Sequence, residues 1–266
     1  MEADMFRNIK MYLRFSGQNI HALMEYKNDF LVSTIAGAVW QTVGLVFLFA
    51  LFSSIRSVGG WTLYEVALLY ACVMFSEGVV TFGCQGASTG TAHKVRTGEY
   101  DRFMVRPLPI MTQLLGCQIN FAGLCTSVTS IAVMIVSVHR LAVDPSAIQV
   151  ICFILSLLIG VWTRLNIDVA ASSLGFFTGG GSTLALVRST QAFGRYPVSI
   201  FPKLIRYLLF SVLPHGMISY IPTCILLGKL PVWPYFLSVP AAAVFTTWIR
   251  RFIFGKLMKR YESTGN

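Results

Sequence analysis

Long apolar stretches separated by short charged ones organise this chain. Phe30–Ile55, Pro107–Val138 and Pro145–Thr163 carry no charged side chain, and each is about as long as the roughly twenty residues a helix needs to cross a bilayer. Their apolar positions do not alternate one by one, as the strands of a membrane barrel would. The pattern predicts spans at about 30–54, 62–86 and 110–138, a fourth from near Ser146 past Arg164 and Asp168, and a last at about 231–253. Ahead of them, Phe6, Ile9, Leu13, Ile20, Leu23 and Met24 recur at helical spacing opposite Arg7, Lys10, Arg14 and Asn28. Residues 5–28 therefore read as an amphipathic helix lying in the membrane interface. The fold class is an all-α polytopic membrane protein.

Turn residues punctuate the spans. Ser57-Val-Gly-Gly60 makes a turn, followed by Trp61 and Tyr64 as interfacial anchors. The second span ends in the small-residue stretch Gly83–Gly90, which permits close helix contact. Asp144-Pro145 closes the third span, and Gly179-Gly-Gly-Ser182 breaks the fourth. Two topologies fit the segment after that. In one, 204–228 is the fifth span and Arg188, Arg195, Lys203 and Arg206 stay cytoplasmic, as charge counting favours. In the other, 182–199 is a short fifth span. Residues 202–228 are then two half-helices that dip into the outer leaflet, cut by Pro202, Pro214 and Pro222.

Composition sharpens the class. The chain is 55% hydrophobic and 12% charged, about half the charge density of a soluble domain, and its mean hydropathy is +0.66. The net charge of +10 is not a nucleic-acid signature, because the basic residues cluster beside span ends. Arg7, Lys10, Arg14 and Lys27 precede the first span, Lys94, Arg96, Arg102 and Arg106 lie between the second and third, and Arg250, Arg251, Lys256, Lys259 and Arg260 follow the last. Positive charge marks the cytoplasmic side. Both termini and the 94–106 loop are thus expected in the cytoplasm, with an even number of spans in the inner (plasma) membrane. No short apolar run with a small-residue cleavage site opens the sequence, so no removable leader is expected. The six cysteines match no metal or redox spacing and read as small apolar residues; no metal site is expected.

Two segments carry a resemblance. The loop 96–108 reads Arg-Thr-Gly-Glu-Tyr-Asp-Arg-Phe-Met-Val-Arg-Pro-Leu. A later segment reads Phe193-Gly-Arg-Tyr-Pro-Val-Ser-Ile-Phe-Pro202, then Leu213-Pro-His, Tyr220-Ile-Pro222 and Leu226-Leu-Gly-Lys229. From about Tyr12 to Lys229 the chain resembles the permease subunits of the ABC-transporter type-2 family, in the branch grouped as ABC-2 family transporter proteins. The resemblance implies six spans, a dimer with an identical or related second permease, and an ATP-binding subunit docked on each, with ATP and magnesium held there. It implies a coupling helix between the second and third spans and re-entrant half-helices before the last, which selects the second topology. The chain then divides into an interfacial helix (1–29), a transmembrane domain (30–254) with coupling loop 87–109 and re-entrant region 202–228, and a cytoplasmic tail (255–266). Most type-2 permeases export drugs, lipids, glycans or peptides.

Candidate residues follow. In the loop, Gly98 permits a turn that other residues resist, and Arg96, Glu99, Asp101, Arg102 and Arg106 offer charge that a soluble ATPase can grip. An ordinary solvated loop is the plainer reading. At membrane depth, Glu77, Arg164, Asp168 and Arg188 are costly unless paired or facing a cavity. Glu77 lies about 22 Å along its helix, in the inner leaflet, where it could line a substrate cavity or fix packing. Arg164 and Asp168 stand four apart on one helix and are expected to pair with each other. Trp40, with Phe47, Phe49 and Phe52, can line a conduit or simply meet lipid. Arg195 can hold an anionic head group at the outer face or anchor the re-entrant pair.

No phosphate-binding loop is present: Gly228-Lys229 and Gly255-Lys256 are each followed by leucine. Four scattered histidines make no catalytic triad. The sequence reading is therefore a non-enzymatic permease of an ATP-driven exporter of an amphiphilic or hydrophobic substrate. Rivals are an ion- or proton-coupled carrier using Glu77 and Asp168, a membrane scaffold, or an importer of the same family.

Overall fold

The computed structural model describes residues 2–25, 27–89, 91, 94, 97–177 and 182–260. In chain order the helices are α1 (Glu2–Glu25), α2 (Lys27–Ser54), α3 (Leu63–Ser88), α4 (Asp101–Met104), α5 (Ile110–Gly116), α6 (Phe121–Arg140) and α7 (Ala147–Phe177). Then come α8 (Ser182–Gln191), the 3-10 turns Ala192–Arg195 and Val198–Ile200, α9 (Lys203–Phe210), α10 (His215–Ile218), α11 (Tyr220–Leu226) and α12 (Val232–Arg260). No strand occurs among the described residues beyond one isolated bridge, Val58 with Trp61. Four described helices are long and apolar enough to cross a membrane: Leu31–Ser54, Leu63–Ser88, Phe121–Arg140 and Ala147–Gly175. A fifth would be the bent pair Lys203–Phe210 and His215–Leu226, which turns by 65°.

Burial ranks the helices. The apolar window of α3 is 67% buried and that of α2 only 11%, so α3 is the hub and α2 lies at the edge. Backbone contact between α3 and α6 rests on two glycines. A Cβ on Gly123 would sit 2.3 Å from the Phe82 nitrogen, and one on Gly78 would sit 2.4 Å from Ser127 Oγ. Small residues admit this approach because lipid supplies no hydrophobic drive toward another helix. Polar side chains add the remaining links. Gln41 of α2 is buried and donates to Ser130 Oγ at 3.2 Å, while Thr129 donates to its Oε1. Trp162 of α7 donates to Thr247 of α12 at 2.9 Å.

The two ends of the bundle differ. At one, Thr62 and Glu65 form a capping box that starts α3, and Lys229 meets Glu65 at 2.8 Å with its ammonium 3.8 Å over the Trp61 ring. Gln149 donates to the Ile225 carbonyl there at 3.2 Å. Gly59, at φ +57°, turns so close to Ile200 that a Cβ would lie 2.6 Å from its Cγ2. Both flanks of the bent pair, 199–200 and 225–229, thus lie at the Trp61 end. Its turn reaches inward, where His215 Nε2 lies 3.1 Å from Thr190 Oγ1. At the opposite end Tyr100 Oη meets Met258 Sδ at 3.2 Å.

Two expected boundaries move. The third span is not continuous over 110–138: α5 stops at Gly116, and Asn120 caps a new helix by accepting from the Ala122 nitrogen at 2.9 Å. The amphipathic N-terminal helix also packs on the bundle. Tyr12 donates to the Gly83 carbonyl at 2.9 Å and Asn19 to the Gly116 carbonyl at 2.7 Å, tying α1 to α3 and α5. Burial raises the Tyr12 pKa above its ordinary value, so it stays a donor.

Gly123→Ala is expected to cost about 1–3 kcal/mol, as overpacked interiors do. Thermal unfolding in detergent should show a lowered midpoint. Gly255→Ala, where nothing lies within 4 Å of the new methyl, should show none.

Candidate functional site

The charged loop is built as a turn, a short helix and a root. Gly98 adopts φ +71°, the left-handed region that only glycine enters freely. The turn closes through Tyr100 N to Lys94 O at 3.1 Å and Asp101 N to Gly98 O at 3.2 Å, and α4 follows. Glu99, Arg102 and Arg106 are exposed and Asp101 is half-buried. Arg96 lies outside the described residues. Tyr100, between two acids, is fully buried against Val80, Ala87, Leu114, Leu165 and Val169. Gln113 of α5 straps the loop from below, donating to the carbonyls of Phe103 at 2.9 Å and Leu108 at 3.0 Å. The Arg106 guanidinium stands 5.8 Å from the Phe15 ring centre. Between α1 and the loop opens a hollow of about 290 Å³, lined among others by Phe15, Gln18, Glu99, Arg102 and Arg106.

Charge thus lies outside and an aromatic root inside, and Tyr100 joins the loop to helices α3, α7 and α12. Sequence reasoning found the charges and Gly98 but missed Tyr100 and Gln113. A lone aromatic inside a charged loop was the legible signal for Tyr100; Gln113 had none.

The second cluster lies inside the bundle. Arg164, only 3% exposed, faces Glu77 of α3 at 3.5 Å and donates to Gln191 Oε1 at 2.5 Å. Asp168, fully buried, accepts from Arg188 at 3.2 Å and from Gln191 Nε2 at 3.0 Å. The expected Arg164–Asp168 pair is therefore corrected: each takes a partner on another helix. Arg164 turns to α3, Asp168 turns to α8, and Gln191 sits between them. An arginine only donates and a carboxylate only accepts, so an amide with its oxygen to one and its nitrogen to the other satisfies both. Glu77 and Arg188, 37% and 38% exposed, carry the cluster to the surface on either side.

Toward the Trp61 end, Arg195 stands 5.6 Å over the Tyr70 ring. Tyr70 and Glu77 are seven residues apart on one face of α3, so Arg195 and Glu77 flank the same strip. Trp40 stands apart, 69% exposed on α2. Gln41, Tyr70, Gln191 and His215 went unrecognised in the sequence. Gln41, the one amide in an apolar span, carried a visible signal; the others show their role only through their partners.

Glu77→Gln removes the carboxylate facing a buried guanidinium. Because Glu77 is partly open to solvent, the expected loss is about 1–2 kcal/mol, below the roughly 3–5 of a fully buried pair. With Arg164→Gln added, the double variant should be more stable than the two single losses summed, by about 0.5–3 kcal/mol. Thermal denaturation of all four proteins in one detergent measures this. Strict additivity would show that the two side chains do not act on each other.

Residues 38–265 match the family described as ABC-2 family transporter protein. No curated protein and no solved structure gives a significant match. The matched residues take in the C-terminal part of α2, every later helix, the rooted loop and the buried charges. The chain therefore belongs to the ABC-2 family of transporter membrane proteins.

Proposed function

We propose that this chain is the permease subunit of an ATP-driven exporter, coupled through residues 97–106 to a separate ATP-binding subunit that holds ATP and magnesium. One observation carries the reading: the loop presents Glu99, Arg102 and Arg106 to solvent while Tyr100 roots it in three long helices. Closure of an ATPase cleft around α4 would move that root and tilt the spans. Such hinge and shear steps are how packed helices transmit a local pull. Two permeases, identical or related, would enclose the pathway between them.

The topology in this reading has six crossings with both termini in the cytoplasm of the inner (plasma) membrane. The crossings are α2, α3, α6, α7, the climb from Ser182 to Ile200, and α12. Its support is the shared end at which Ile200, Ile225, Lys229 and Trp61 meet. A segment whose flanks both return to one end dips into the membrane without crossing it. The pathway strip holds Glu77, Arg195 and, beyond them, the apolar face of α2 with Trp40. That mixture of charge and grease suits an amphiphile. Glu77 and Asp168 each already face an arginine, which argues against their use as proton carriers.

Affinity purification of the tagged chain from its native membrane tests the coupling. Wild type should retain an ATP-binding subunit, and Glu99→Lys/Arg102→Glu, which leaves the loop's net charge unchanged, should lose most of it. Retention by the variant would remove the loop from the interface, and no ATPase with the wild type would sink the exporter reading. For topology, a Lys203→Cys variant lacking reactive native cysteines should label with an impermeant thiol reagent added outside intact cells. Labelling only after permeabilisation would place 203 in the cytoplasm and defeat the six-crossing arrangement.

A further inference from the structure

We infer that Arg195, held on the Tyr70 ring, is the head-group site for an anionic amphiphile bearing a phosphate or carboxylate, entering from the leaflet at the Trp61 end. This rests on the reading of the Arg195–Glu77 strip as the transport pathway. The argument starts from an imbalance. Arg164 and Arg188 face carboxylates, Arg206 donates to the carbonyls of Ser199 and Phe201, and Arg250 donates to Asn166. Arg195 has no such partner among the described residues. No carboxylate among the described residues lies within ion-pair reach of it, which is what separates it from Arg164 and Arg188; its buried Nε, like theirs, meets no acceptor. A half-buried guanidinium whose buried Nε has no acceptor is costly unless something accepts from it.

The surroundings say what would accept. Tyr70 is locked in place, its hydroxyl donating to the Gln41 carbonyl at 3.2 Å. Gly44 lets the ring lie close to α2: a Cβ there would stand 2.3 Å from the Tyr70 oxygen. The ring therefore serves as a fixed platform that orients the guanidinium by a cation–π contact. Beside it lies a small hollow of about 50 Å³, lined by Gly44, Phe47, Leu48, Tyr70, Arg195 and Tyr196. That is room for about two water-sized groups, enough for the oxygens of a head group and too little for a whole ligand. The remainder of the ligand has an apolar surface of α2 to follow. Val43, Val46 and Phe47 of α2 are each more than half exposed next to the hollow. A planar fork that binds oxyanions in pairs of hydrogen bonds, set at the head of a greasy track, selects an anionic amphiphile over a cationic or sugar-like one.

The test is native mass spectrometry of the complex purified from its membrane in mild detergent, titrated with phosphatidylglycerol or phosphatidylcholine. Wild type should retain phosphatidylglycerol in preference to phosphatidylcholine. Arg195→Gln should weaken that retention about ten-fold, the scale of one charge-assisted contact. Arg195→Lys should recover part of it, and Arg206→Gln should leave it unchanged. Phe47→Ala, at an exposed position where folding is not at stake, should weaken retention several-fold through the tail. Equal retention by wild type and Arg195→Gln, or equal retention of the two lipids, overturns the inference. So does displacement of the lipid by inorganic phosphate alone, since the tail would then contribute nothing. An absent ATPase in the purified complex would defeat the exporter reading but leave this lipid measurement intact, so the two failures are distinguishable.

Discussion

Arg164 is the residue around which the bundle is arranged. A guanidinium only 3% exposed in an apolar helix must find acceptors from other segments, and it finds Glu77 on α3 and Gln191 on α8. Asp168, one turn further on, draws in Arg188 and the other end of the same amide. Three helices are thereby brought to a common depth, because sliding any one would leave a charge unpaired in a low-dielectric interior. The close α3–α6 contact at Gly78 and Gly123 then fixes the other side of the hub. Steric fit and charge pairing act on opposite flanks of α3, and together they leave it little freedom to slide.

A rigid hub is what gives the charged loop a purpose. Tyr100 packs against residues of α3, α5 and α7, and its hydroxyl reaches Met258 of α12. Gly98 supplies the left-handed turn that lets an acid on each side of Tyr100 remain in water while the ring turns inward. α1 joins the same assembly through Tyr12, Asn19 and the Phe15–Arg106 contact. The N-terminal helix is thereby tied to the loop and to the bundle beneath it. The opposite end is held by Glu65, which caps α3 and also binds Lys229 after the bent pair. That carboxylate is one of several contacts, with Gln149 to Ile225 and Gly59 against Ile200, that hold the chain at the Trp61 end.

Much of this was legible in the residues. Apolar runs without charge mark three of the four long spans, because a bilayer disfavours unpaired charge over about twenty residues. Pro202 and Pro214 stand immediately before short helices of this segment, whereas Pro222 sits inside the first turn of α11, where a missing N–H is tolerated. Gly98 sits where a left-handed turn is needed. The boundary at Gly116–Asn120 was hidden because both sides are equally apolar, and a cap made by one asparagine carries no hydropathic signal. Tyr100 is hidden for the converse reason: it stands among charged neighbours, and only the fold turns its ring inward.

The sequence by itself determined the class of molecule, the helical spans and the charged loop, since these follow from local hydropathy and backbone preference. Tertiary structure decided the partners. Spacing on one helix predicted that Arg164 would pair with Asp168, but a side chain buried between helices bonds to whichever acceptor packing brings near. Here packing brought Glu77, Gln191 and Arg188, residues distant in sequence. The same reason left Arg195 with an aromatic platform and, among the described residues, no acceptor for its Nε. Position along the chain sets how deep a charge lies, and only the fold sets what it faces.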